Sequence, residues 1–594
     1  MRIGSDTGGT FTDLVGGDGR VLKVPSTPDD PGDAVRTGLA ELAATVSGLT
    51  LTHGTTVATN ALLERRLAAV ALVTTGGLAD VIEIARQDRP SLYDPAARRP
   101  EPLVPRSLRF EASGRLGPDG TAIQPVVAGD ILGGADVDAV AVCLLHADLD
   151  PSHERAIAAA LERDGHDVCC SHEVSPEFRE YERTVTTVIN TALRPRLRTY
   201  LTGLSRSAEE VLVMTSAGGL VPAATAAELP ASLLLSGPAG GVRAAAAVAS
   251  AHGFDDAVTL DMGGTSTDVC LILGGRPAPA AQREVAGFTV RFPALDVETI
   301  GAGGGSIASI DPGGALVVGP RSAGAEPGPA CYGRGGTEPT VTDANLVAGR
   351  IPADARFGGI ALDRAAAVAA LDRAGVSADG VLAVVDANME RALRRVTVER
   401  GVDPRSLALV AFGGAGPLHA ASLAEDLGIG TVIVPARAGV LSAAGILTAP
   451  TQRDLVRSWP DPADHRGLDA ALSELASEAA DLLGGNATVT TAVDCRYAGQ
   501  SHELTVGSVS EFEAEHRRRN GHARPGDPIE VVALRATAAT PAPISIEDLP
   551  PIDRPTDTVV GPAVLADPDC TTWVPDGWQT EPGVGGALVM RRSS

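Results

Sequence analysis

An eight-residue turn occurs twice in this chain, as DTGGTFTD at residues 6–13 and as DMGGTSTD at residues 261–268. Apolar residues flank both copies, and a Gly-Gly turn between two such segments is typical of a β-hairpin. Glycines at a turn let consecutive backbone N–H groups approach an anion closely. The duplication therefore predicts an α/β chain with two similar domains, whose hairpins face each other across the phosphate chain of a nucleotide.

The two turns carry the residues predicted to contact the nucleotide and its metal. An aspartate at the end of the incoming strand can hold a hydrated magnesium ion, which binds few carboxylates and several waters. We therefore predict Asp6 and Asp261 as the metal ligands. The predicted phosphate contacts are Gly8, Gly9, Thr10, Gly263, Gly264, Thr265 and Thr267. The predicted catalytic residues are Asp6, Asp13, Thr10, Thr12 and Asp261.

Two alternatives stay open for these turns. Each copy can be a glycine-rich hairpin in which Asp and Thr serve only as turn residues, although the duplication disfavours that interpretation. Asp13 and Asp268 either orient the acceptor and the waters of the metal or brace their own hairpins. Bracing is the favoured role for Asp268.

A third glycine-rich segment, LALVAFGGAGPLHA at residues 407–420, indicates a strand, a Gly-Gly turn and a helix that starts near Pro417. A helix N-terminus behind such a turn can seat an adenosine and its α-phosphate. This segment is therefore predicted to bind the nucleoside end of ATP. The residues predicted to contact it are Gly413, Gly414 and Gly416.

Two further loops have both a functional and a structural interpretation. The segment HGTTVATN at residues 53–60 is either a polar loop near the substrate or γ-phosphate, or the capped start of a helix. The loop GAGGGS at residues 301–306 is either a further phosphate-binding loop or a site of tight packing. The residues predicted to lie near the substrate are His53, Thr55, Thr56 and Asn60.

Composition disfavours several classes of partner and site. The 594-residue chain has a formal net charge of −25, which argues against nucleic acid and anionic membranes as partners. Lys23 is the single lysine, and the residue directly before it is not a glycine, so the chain lacks the Gly-Lys pair of a P-loop. The seven cysteines form no CxxC pair and are predicted to be buried thiols. An N-terminus without signal-peptide features and the absence of a long apolar run predict a cytoplasmic protein.

The length exceeds what one hydrophobic core supports, so several domains are expected. We predict an N-terminal α/β domain over 1–195, which carries the first hairpin. A second α/β domain over 205–450 carries the second hairpin and the adenosine turn. The Ala- and Asp-rich region over 451–489 is predicted to be a helical connection. Strand-like runs such as IEVVALRATA predict a smaller β-rich C-terminal domain over 490–594.

The order of two phosphate hairpins and a Gly-Gly adenosine turn resembles the actin-like ATPase superfamily of sugar kinases, heat-shock chaperones and actin. This resemblance implies duplicated ribonuclease H-like domains with the nucleotide in the cleft between them. The sequences of these motifs are more specifically similar to the A-type subunit of the hydantoinase/oxoprolinase family. Besides the two turns, the matching stretches include LTHGTTVATNALLER (51–65), VSPEFREYERTVTTVINTAL (174–193), LLSGPAGGV (234–242) and SAGAEPGPACYGRGGTEPTVTDANLVAGR (322–350).

That resemblance implies ATP- and Mg²⁺-dependent activation of a small carbonyl compound. In the family, the γ-phosphoryl group goes to the oxygen of a lactam, a cyclic imide such as a hydantoin, or an enolised ketone, and the product is hydrolysed or carboxylated. A B-type partner subunit usually assists, and an oligomer is expected. Two other functions stay open from the residues alone: a kinase that releases a stable phosphoester, and an actin- or chaperone-like ATPase without metabolite chemistry.

Overall fold

Three β-sheets of four or more strands organise the part of the chain that the structure describes. The computed structural model describes residues 1–594 except 10, 28–29, 44–46, 358–359, 485 and 594. The first sheet has ten strands, the second nine and the third four. Each of the two large sheets contains one copy of the repeated turn, which joins two antiparallel strands. The hairpins predicted from the duplicated motif are therefore present in both halves.

The first sheet combines strands from both ends of the chain. Its hairpin consists of Arg2–Thr7 and Phe11–Gly16, and Thr50–Thr55 pairs in parallel with Arg2–Thr7. In spatial order its strands are Leu504–Val506, Thr488–Tyr497, Ile529–Thr540, Thr451–Ser458, Leu220–Pro222, Glu210–Met214, Thr50–Thr55, Arg2–Thr7, Phe11–Gly16 and Val21–Pro25.

The second sheet surrounds the second copy of the turn. Its hairpin consists of Ala257–Met262 and Thr267–Leu273, and Val297–Ile300 also pairs with Thr267–Leu273. Apart from Val297–Ile300, the strands of this sheet are, in spatial order, Arg276–Pro277, Thr267–Leu273, Ala257–Met262, Ala408–Phe412, Thr431–Val434, Leu588–Arg592, Trp578–Pro582 and Val559–Val560.

The two large sheets share a five-strand core with the same topology. In each core the hairpin is extended on one side by a third antiparallel strand and on the other side by two parallel strands. Parallel neighbours need a crossover connection, which supplies the helices that cover the sheet faces. This repeated topology is the duplicated α/β architecture that the repeated turn predicts.

The remaining strands form a separate parallel sheet and several two-stranded ribbons. The parallel sheet has the order Val168–Cys170, Ala139–Cys143, Val70–Thr75 and Arg109–Ala112. The ribbons pair Pro279–Val285 with Phe288–Leu295, Ser306–Ile310 with Leu316–Ser322, Arg356–Phe357 with Ile360–Ala361, Ala563–Ala566 with Thr571–Val574, and Arg115–Leu116 with Ala122–Gln124. All seven cysteines, each within the described ranges, are buried and unpaired, as predicted.

Helices cover the sheets and supply the connections between strands. The α-helices are Pro31–Ala43, Val57–Leu63, Val81–Ile84, Ser152–Arg163, Ser171–Val174, Glu180–Leu204, Ala223–Glu228, Gly237–Ala251, Val341–Val347, Arg364–Ala374, Ala378–Val396, Gly416–Leu427, Leu441–Leu447, Leu468–Asp481 and Phe512–Asn520. The short 3₁₀ helices are Arg106–Leu108, Pro230–Leu233, Ala330–Tyr332, Val398–Arg400, Pro404–Ser406, Ala438–Val440, Val509–Glu511 and Val584–Gly586. None of the helices described above is both long enough and apolar enough to cross a bilayer.

The predicted limits of the first three regions follow the sheets only in part. The limit near 205 falls inside the first sheet, because Glu210–Met214 pairs in parallel with Thr50–Thr55. The predicted helical connection over 451–489 begins with the strand Thr451–Ser458, which pairs with a C-terminal strand of the first sheet. Among the described residues of that region, only Leu468–Asp481 form an α-helix.

The strands of the region 490–594 are divided between the two large sheets and the ribbon of Ala563–Ala566 with Thr571–Val574. Ile529–Thr540 and its neighbours extend the first sheet beyond Thr451–Ser458. Leu588–Arg592 and Trp578–Pro582 join the second sheet beyond Thr431–Val434. The partner of a strand is set by long-range pairing, which the local alternation of apolar residues does not encode. The sequence therefore identifies these strands but not the sheet that each one joins.

Candidate active site

The two repeated turns adopt the same local structure. In both turns the amide of the first glycine, Gly8 or Gly263, donates to the carbonyl three residues later at 3.0 Å. Gly9 and Gly264 are exposed at the tips, and no heavy atom lies within 4 Å of a Cβ built on either one. Open space at these two glycines leaves room for a ligand against the backbone. Thr10, predicted as both a phosphate contact and a catalytic residue, lies outside the described residues.

The threonines of the two turns have different surroundings. Thr12 and Thr267 are buried. The Thr12 hydroxyl hydrogen-bonds the Ser26 hydroxyl at 3.1 Å, and the Thr267 hydroxyl donates to the Ala302 carbonyl at 2.5 Å. These two hydroxyls therefore stabilise the hairpins through contacts within the protein. Thr265, by contrast, is exposed at the tip of the second hairpin.

Four carboxylates lie at the base of the two hairpins, and the two hairpins influence each other electrostatically. Asp6 is opposite Asp13 in the first hairpin, and Asp261 is opposite Asp268 in the second. Burial first, and then the negative charge of Asp13, raise the pKa of Asp6 to about 7. Burial raises the pKa of Asp261 well above its usual range, and Asp268 and Asp6 add to that effect. Because Asp6 and Asp261 belong to different sheets, the two halves of the chain meet at this cluster.

Asp13 and Asp268 each have a specific partner, whereas one oxygen of Asp6 has none among the described residues. The Lys23 ammonium donates to Asp13 Oδ2 at 3.0 Å. The Thr299 hydroxyl donates to Asp268 Oδ1 at 2.5 Å, an arrangement that braces the second hairpin. Asp6 Oδ1 is buried without a hydrogen-bond partner in the described part of the chain. A buried carboxylate of this kind is unfavourable unless a cation or a proton compensates it.

The carboxylate cluster fits a divalent cation with oxygen ligands. Mg²⁺ binds through one or two carboxylates and keeps several waters, so it does not need a closed cage of protein ligands. Asp6, with its unpartnered oxygen, and Asp261, from the facing hairpin, are the residues that would hold it. Burial and neighbouring carboxylates raise the pKa of both side chains, and a cation bound between them would favour their charged forms.

Lys23 is a residue of this site that the sequence analysis noted only as the reason to reject a P-loop. It lies on Val21–Pro25, the edge strand of the first sheet next to Phe11–Gly16. Its ammonium group donates both to Asp13 and to the Gly439 carbonyl at 3.0 Å. The Gly439 amide in turn donates to Asp569 Oδ2 at 2.9 Å. A single lysine in a chain with 48 arginines was the available signal. Its contact with Asp13, and the attraction of its charge to Asp6 and Asp569, depend on the fold.

The glycine-rich loop at 301–306 packs directly against the second phosphate turn. The Gly304 amide donates to the Gly263 carbonyl at 2.9 Å, and the Gly305 amide donates to the Gly264 carbonyl at 2.7 Å. A Cβ on Gly303 would lie 2.6 Å from a backbone nitrogen of the turn, closer than real Cβ atoms approach. The structure therefore shows the tight packing that was one of the two interpretations of this loop.

The predicted adenosine turn lies beside the second hairpin. Gly413 follows the strand Ala408–Phe412 and has a φ of +77°. A Cβ at Gly413 would lie 2.5 Å from Asp261 Oδ1. Gly414 is exposed, and a Cβ there has no heavy atom within 4 Å. The turn thus presents Gly414 outward, and the helix that follows begins at Gly416, one residue before the position predicted from the sequence.

Small residues bring the two halves of the chain together behind the site. The helix Leu441–Leu447 packs against the helix Gly237–Ala251, and a Cβ on Gly445 would overlap the carbonyl of Gly240. On its other side, a Cβ on Gly4 of the first sheet would overlap backbone of the same short helix. Close contact at these positions fixes the first hairpin relative to the second half of the chain.

His53 lies in the interior beneath the first hairpin. Its Nδ1 is 2.7 Å from the Ser5 hydroxyl, and its Nε2 is 2.8 Å from the Tyr200 hydroxyl. Burial lowers the pKa of His53 to about 3. The imidazole is therefore uncharged at neutral pH and connects the first strand to the long helix Glu180–Leu204. The predicted position of His53 near the substrate stays untested, and the packing shows a structural role.

The other polar residues of this segment organise the start of a helix. The Thr55 hydroxyl accepts a hydrogen bond from the Val57 amide at 3.2 Å, at the first residue of the helix Val57–Leu63. The Thr56 hydroxyl donates to the carbonyl of Thr7 at 3.2 Å and accepts from the Asn60 amide at 3.3 Å. Asn60 is exposed. The segment is thus tied to the end of the first strand, next to the first phosphate turn.

We expect His53 to stay uncharged in the folded protein from pH 8 down to at least pH 5. The folded pKa of about 3 is below the ordinary value of 6.5, so only the unfolded chain takes up this proton between these values. The contribution of His53 to the free energy of unfolding should therefore fall as the pH falls below 6.5. Nitrogen-15 NMR of the histidine side chains checks this, with His53→Gln to assign the signal. A His53 resonance that titrates near pH 6.5 in folded protein would contradict it.

Two ribonuclease H-like cores, each with a phosphate hairpin at a shared carboxylate cluster, define the actin-like class of nucleotide-binding folds. Comparison with known proteins narrows the class. Residues 2–165 match the hydantoinase/oxoprolinase N-terminal region, and residues 183–454 match the hydantoinase/oxoprolinase model. The chain is 36% identical to the caprolactamase subunit alpha of Pseudomonas jessenii, over 90% of this chain and 86% of that protein. It belongs to the hydantoinase/oxoprolinase family.

Solved structures agree with this assignment. The crystal structure of an ATP-dependent caprolactamase from Pseudomonas jessenii has a TM-score of 0.89 and 32% identity, with 100% of both chains covered. A nucleotide-free acetone carboxylase has a TM-score of 0.76 and 26% identity, with 100% of this chain and 99% of that chain covered. The family and the fold class predicted from the sequence are therefore confirmed.

Proposed function

We propose that this protein uses ATP to activate the carbonyl group of a small cyclic amide, and that hydrolysis of the activated species follows. The observation that carries the proposal is the pair of phosphate hairpins that meet at buried carboxylates, with Asp6 Oδ1 unpartnered among the described residues. The relatives support ATP use and the substrate class, since one is an ATP-dependent caprolactamase and another catalyses ATP-dependent acetone carboxylation. Lactams and hydantoin-like imides are thus the candidate substrates for hydrolysis, and ketones are the candidates for the alternative outcome, carboxylation.

The chemistry requires positioning and charge neutralisation more than covalent participation by the protein. An amide is a poor electrophile, and phosphorylation of its oxygen converts that oxygen into a leaving group. Phosphoryl transfer is promoted by groups that orient the phosphates and neutralise their charge. The exposed backbone at Gly9, Gly264 and Gly414 would contact the nucleotide. Asp6 and Asp261 would hold Mg²⁺, which when bound neutralises phosphate charge.

The residues around the phosphate turns hold this arrangement rigid. Lys23 holds Asp13 and Thr299 holds Asp268, so each hairpin is braced by a contact within the protein. None of these contacts orients an acceptor or excludes water. In enzymes of this kind closure of the domains around the substrate performs both tasks. We therefore expect slow ATP hydrolysis by the protein alone and faster turnover with the correct carbonyl compound.

A partner subunit is the second part of the proposal. Two relatives are named as subunits, the caprolactamase subunit alpha and an acetophenone carboxylase gamma subunit of Aromatoleum aromaticum. We infer that a B-type subunit completes the reaction after carbonyl activation. The oligomeric assembly and the cytoplasmic location stay predictions from the sequence.

The proposal predicts that a lactam or imide stimulates ATP hydrolysis at least about tenfold, because substrate closure aligns the acceptor. Phosphate release is measured across lactams, hydantoins, imides, ketones and sugars, with and without the B-type subunit. An Asp6→Asn variant controls for contaminating ATPase. A sugar that yields a stable phosphoester would instead identify a kinase. Stimulation only by unfolded peptide or by self-assembly would contradict carbonyl activation.

A further inference from the structure

A buried Asp–His–Asn chain lies behind the predicted adenosine turn. His419, which is fully buried, belongs to the helix Gly416–Leu427 that begins in this turn. Its Nδ1 is 2.6 Å from Asp386 Oδ1 on the helix Ala378–Val396. Its Nε2 is 3.2 Å from the side-chain nitrogen of Asn345. Three separate helices therefore meet through one imidazole ring.

The partners of the Asn345 amide determine which atom donates in each hydrogen bond of this Asp–His–Asn network. The Asn345 side-chain nitrogen also donates to the Val341 carbonyl at 3.1 Å. A carbonyl oxygen only accepts hydrogen bonds, so it fixes the orientation of the Asn345 amide. The second amide proton of Asn345 is then directed at His419 Nε2, which accepts it. The His419 proton is thereby assigned to Nδ1, from which it is donated to Asp386.

The helix that carries Asn345 also holds the second phosphate turn. In this helix, Val341–Val347, the backbone amide and the hydroxyl of Thr342 both donate to the Gly304 carbonyl at 2.8 Å. The Gly304 amide donates to the carbonyl of Gly263 at 2.9 Å. Hydrogen bonds thus connect the phosphate turn to Thr342, and the same helix carries Asn345, whose side chain donates to the carbonyl of the neighbouring Val341. The imidazole of His419 connects this helix to the helix of the adenosine turn.

We propose that His419 is a positioning residue that helps to hold the second phosphate turn and the adenosine turn at a fixed separation, in addition to the direct hydrogen bond from the Ala415 amide to the Met262 carbonyl at 3.0 Å. It acts through Asn345 on one side and Asp386 on the other, without contacting the nucleotide. Buried hydrogen bonds stiffen the groups that they join, and loss of one link leaves further polar groups unsatisfied. Asn345 Oδ1 has no hydrogen-bond partner among the described residues, so the Asn345 amide is held through its nitrogen, by Val341 and His419. A ligand that engages both turns at once requires their correct separation, whereas a ligand that engages only one turn does not. The inference rests on the proposed function, because the ligand that spans both turns is ATP.

The test compares ATP with its two halves. Asn345→Leu keeps the approximate size of the side chain and removes the link to His419. We expect its affinity for ATP to fall about tenfold, within the range for one buried hydrogen bond. Affinities for adenosine alone and for tripolyphosphate alone should stay within about twofold. In steady-state kinetics the KM for ATP should rise while kcat changes by less than about threefold. Isothermal titration calorimetry and initial rates supply these values.

Two further variants separate positioning from general destabilisation. His419→Asn keeps an amide donor for Asp386 but loses the acceptor for Asn345, so it should reproduce the selective loss of ATP affinity even if Asn345→Leu does not fold. Asn190→Leu is the matched control, because Asn190 is a buried asparagine outside the His419 network. Its side chain donates to the Glu228 carbonyl and accepts from the Ala231 amide. The affinity of Asn190→Leu for all three ligands should be unchanged.

The outcomes distinguish this inference from the proposed function. Equal weakening of ATP, adenosine and tripolyphosphate in Asn345→Leu and in His419→Asn would show a merely structural role and overturn the inference. Unchanged ATP affinity in both folded variants would also overturn it. Failure of the unaltered protein to bind ATP would refute the proposed function itself, and with it the premise of the positioning role.

Discussion

Asp6→Asn is expected to abolish Mg²⁺-dependent ATP turnover and, without Mg²⁺, to stabilise the fold. The substitution keeps the shape of the side chain and removes the charge that would hold the metal. Loss of one preorganised electrostatic contact typically lowers kcat by about 10²–10³-fold, and we expect at least this much. Phosphate release and thermal unfolding, each measured with and without Mg²⁺, check both effects.

The stability effect follows from the direction of the Asp6 pKa. The folded pKa is about 7 and the ordinary value is 3.8, so between these values the folded chain keeps a proton that the unfolded chain releases. The contribution of Asp6 to the free energy of unfolding therefore falls as the pH rises from about 4 to 7 and is level above that range. The full shift corresponds to roughly 4 kcal/mol, which Asp6→Asn should recover at pH 8.

The effect of Mg²⁺ on the melting temperature tests whether Asp6 binds the metal. The cation binds the charged carboxylate, so it should raise the melting temperature of the unaltered protein and have a much smaller effect on Asp6→Asn. Asp164→Asn, at an exposed position beyond the helix Ser152–Arg163, is the control and should behave like the unaltered protein. Equal turnover by Asp6→Asn, or an equal Mg²⁺ effect in both proteins, would contradict a metal-binding role for Asp6.

The adjacent glycines of the adenosine turn should respond to substitution in opposite ways. Gly413→Ala forces a side chain into the left-handed region and places its Cβ against Asp261 and the Met262 carbonyl. We expect the free energy of unfolding to fall by about 2–4 kcal/mol. Gly414→Val enters open space, so its stability should change by less than about 0.5 kcal/mol. Thermal or denaturant unfolding of the two variants gives the comparison.

Nucleotide binding should separate the same pair in a second way. A valine at position 414 occupies the exposed face of the turn, where the adenosine is predicted to bind, so ATP affinity should fall at least about tenfold through lost contact and steric obstruction. Calorimetric titration of the folded Gly414→Val variant measures this. If its ATP affinity equalled that of the unaltered protein, the adenosine would bind elsewhere. A fully stable Gly413→Ala variant would contradict the packing at that turn.

The sequence by itself determined the local elements of the site. The spacing of the glycines and aspartates around Gly8 and Gly263 predicted both hairpins, because a tight turn between short strands is set by a few adjacent residues. The strand, turn and helix around Gly414 were predicted for the same reason, to within one residue at the helix start. The resemblance of these motifs and their order to a known family then gave the fold class.

Only the tertiary structure decided how these elements combine. It buries His53 between Ser5 and Tyr200, pairs Lys23 with Asp13, and joins Asn345 to His419 across 74 positions of sequence. It also divides most of the late strands between the two large sheets, across the predicted domain limits. These features depend on contacts between distant segments, and burial and charge at a residue come from whatever those segments bring beside it. Local patterns predict a turn or a strand, but a neighbour that lies far away in sequence is fixed only when the whole chain packs.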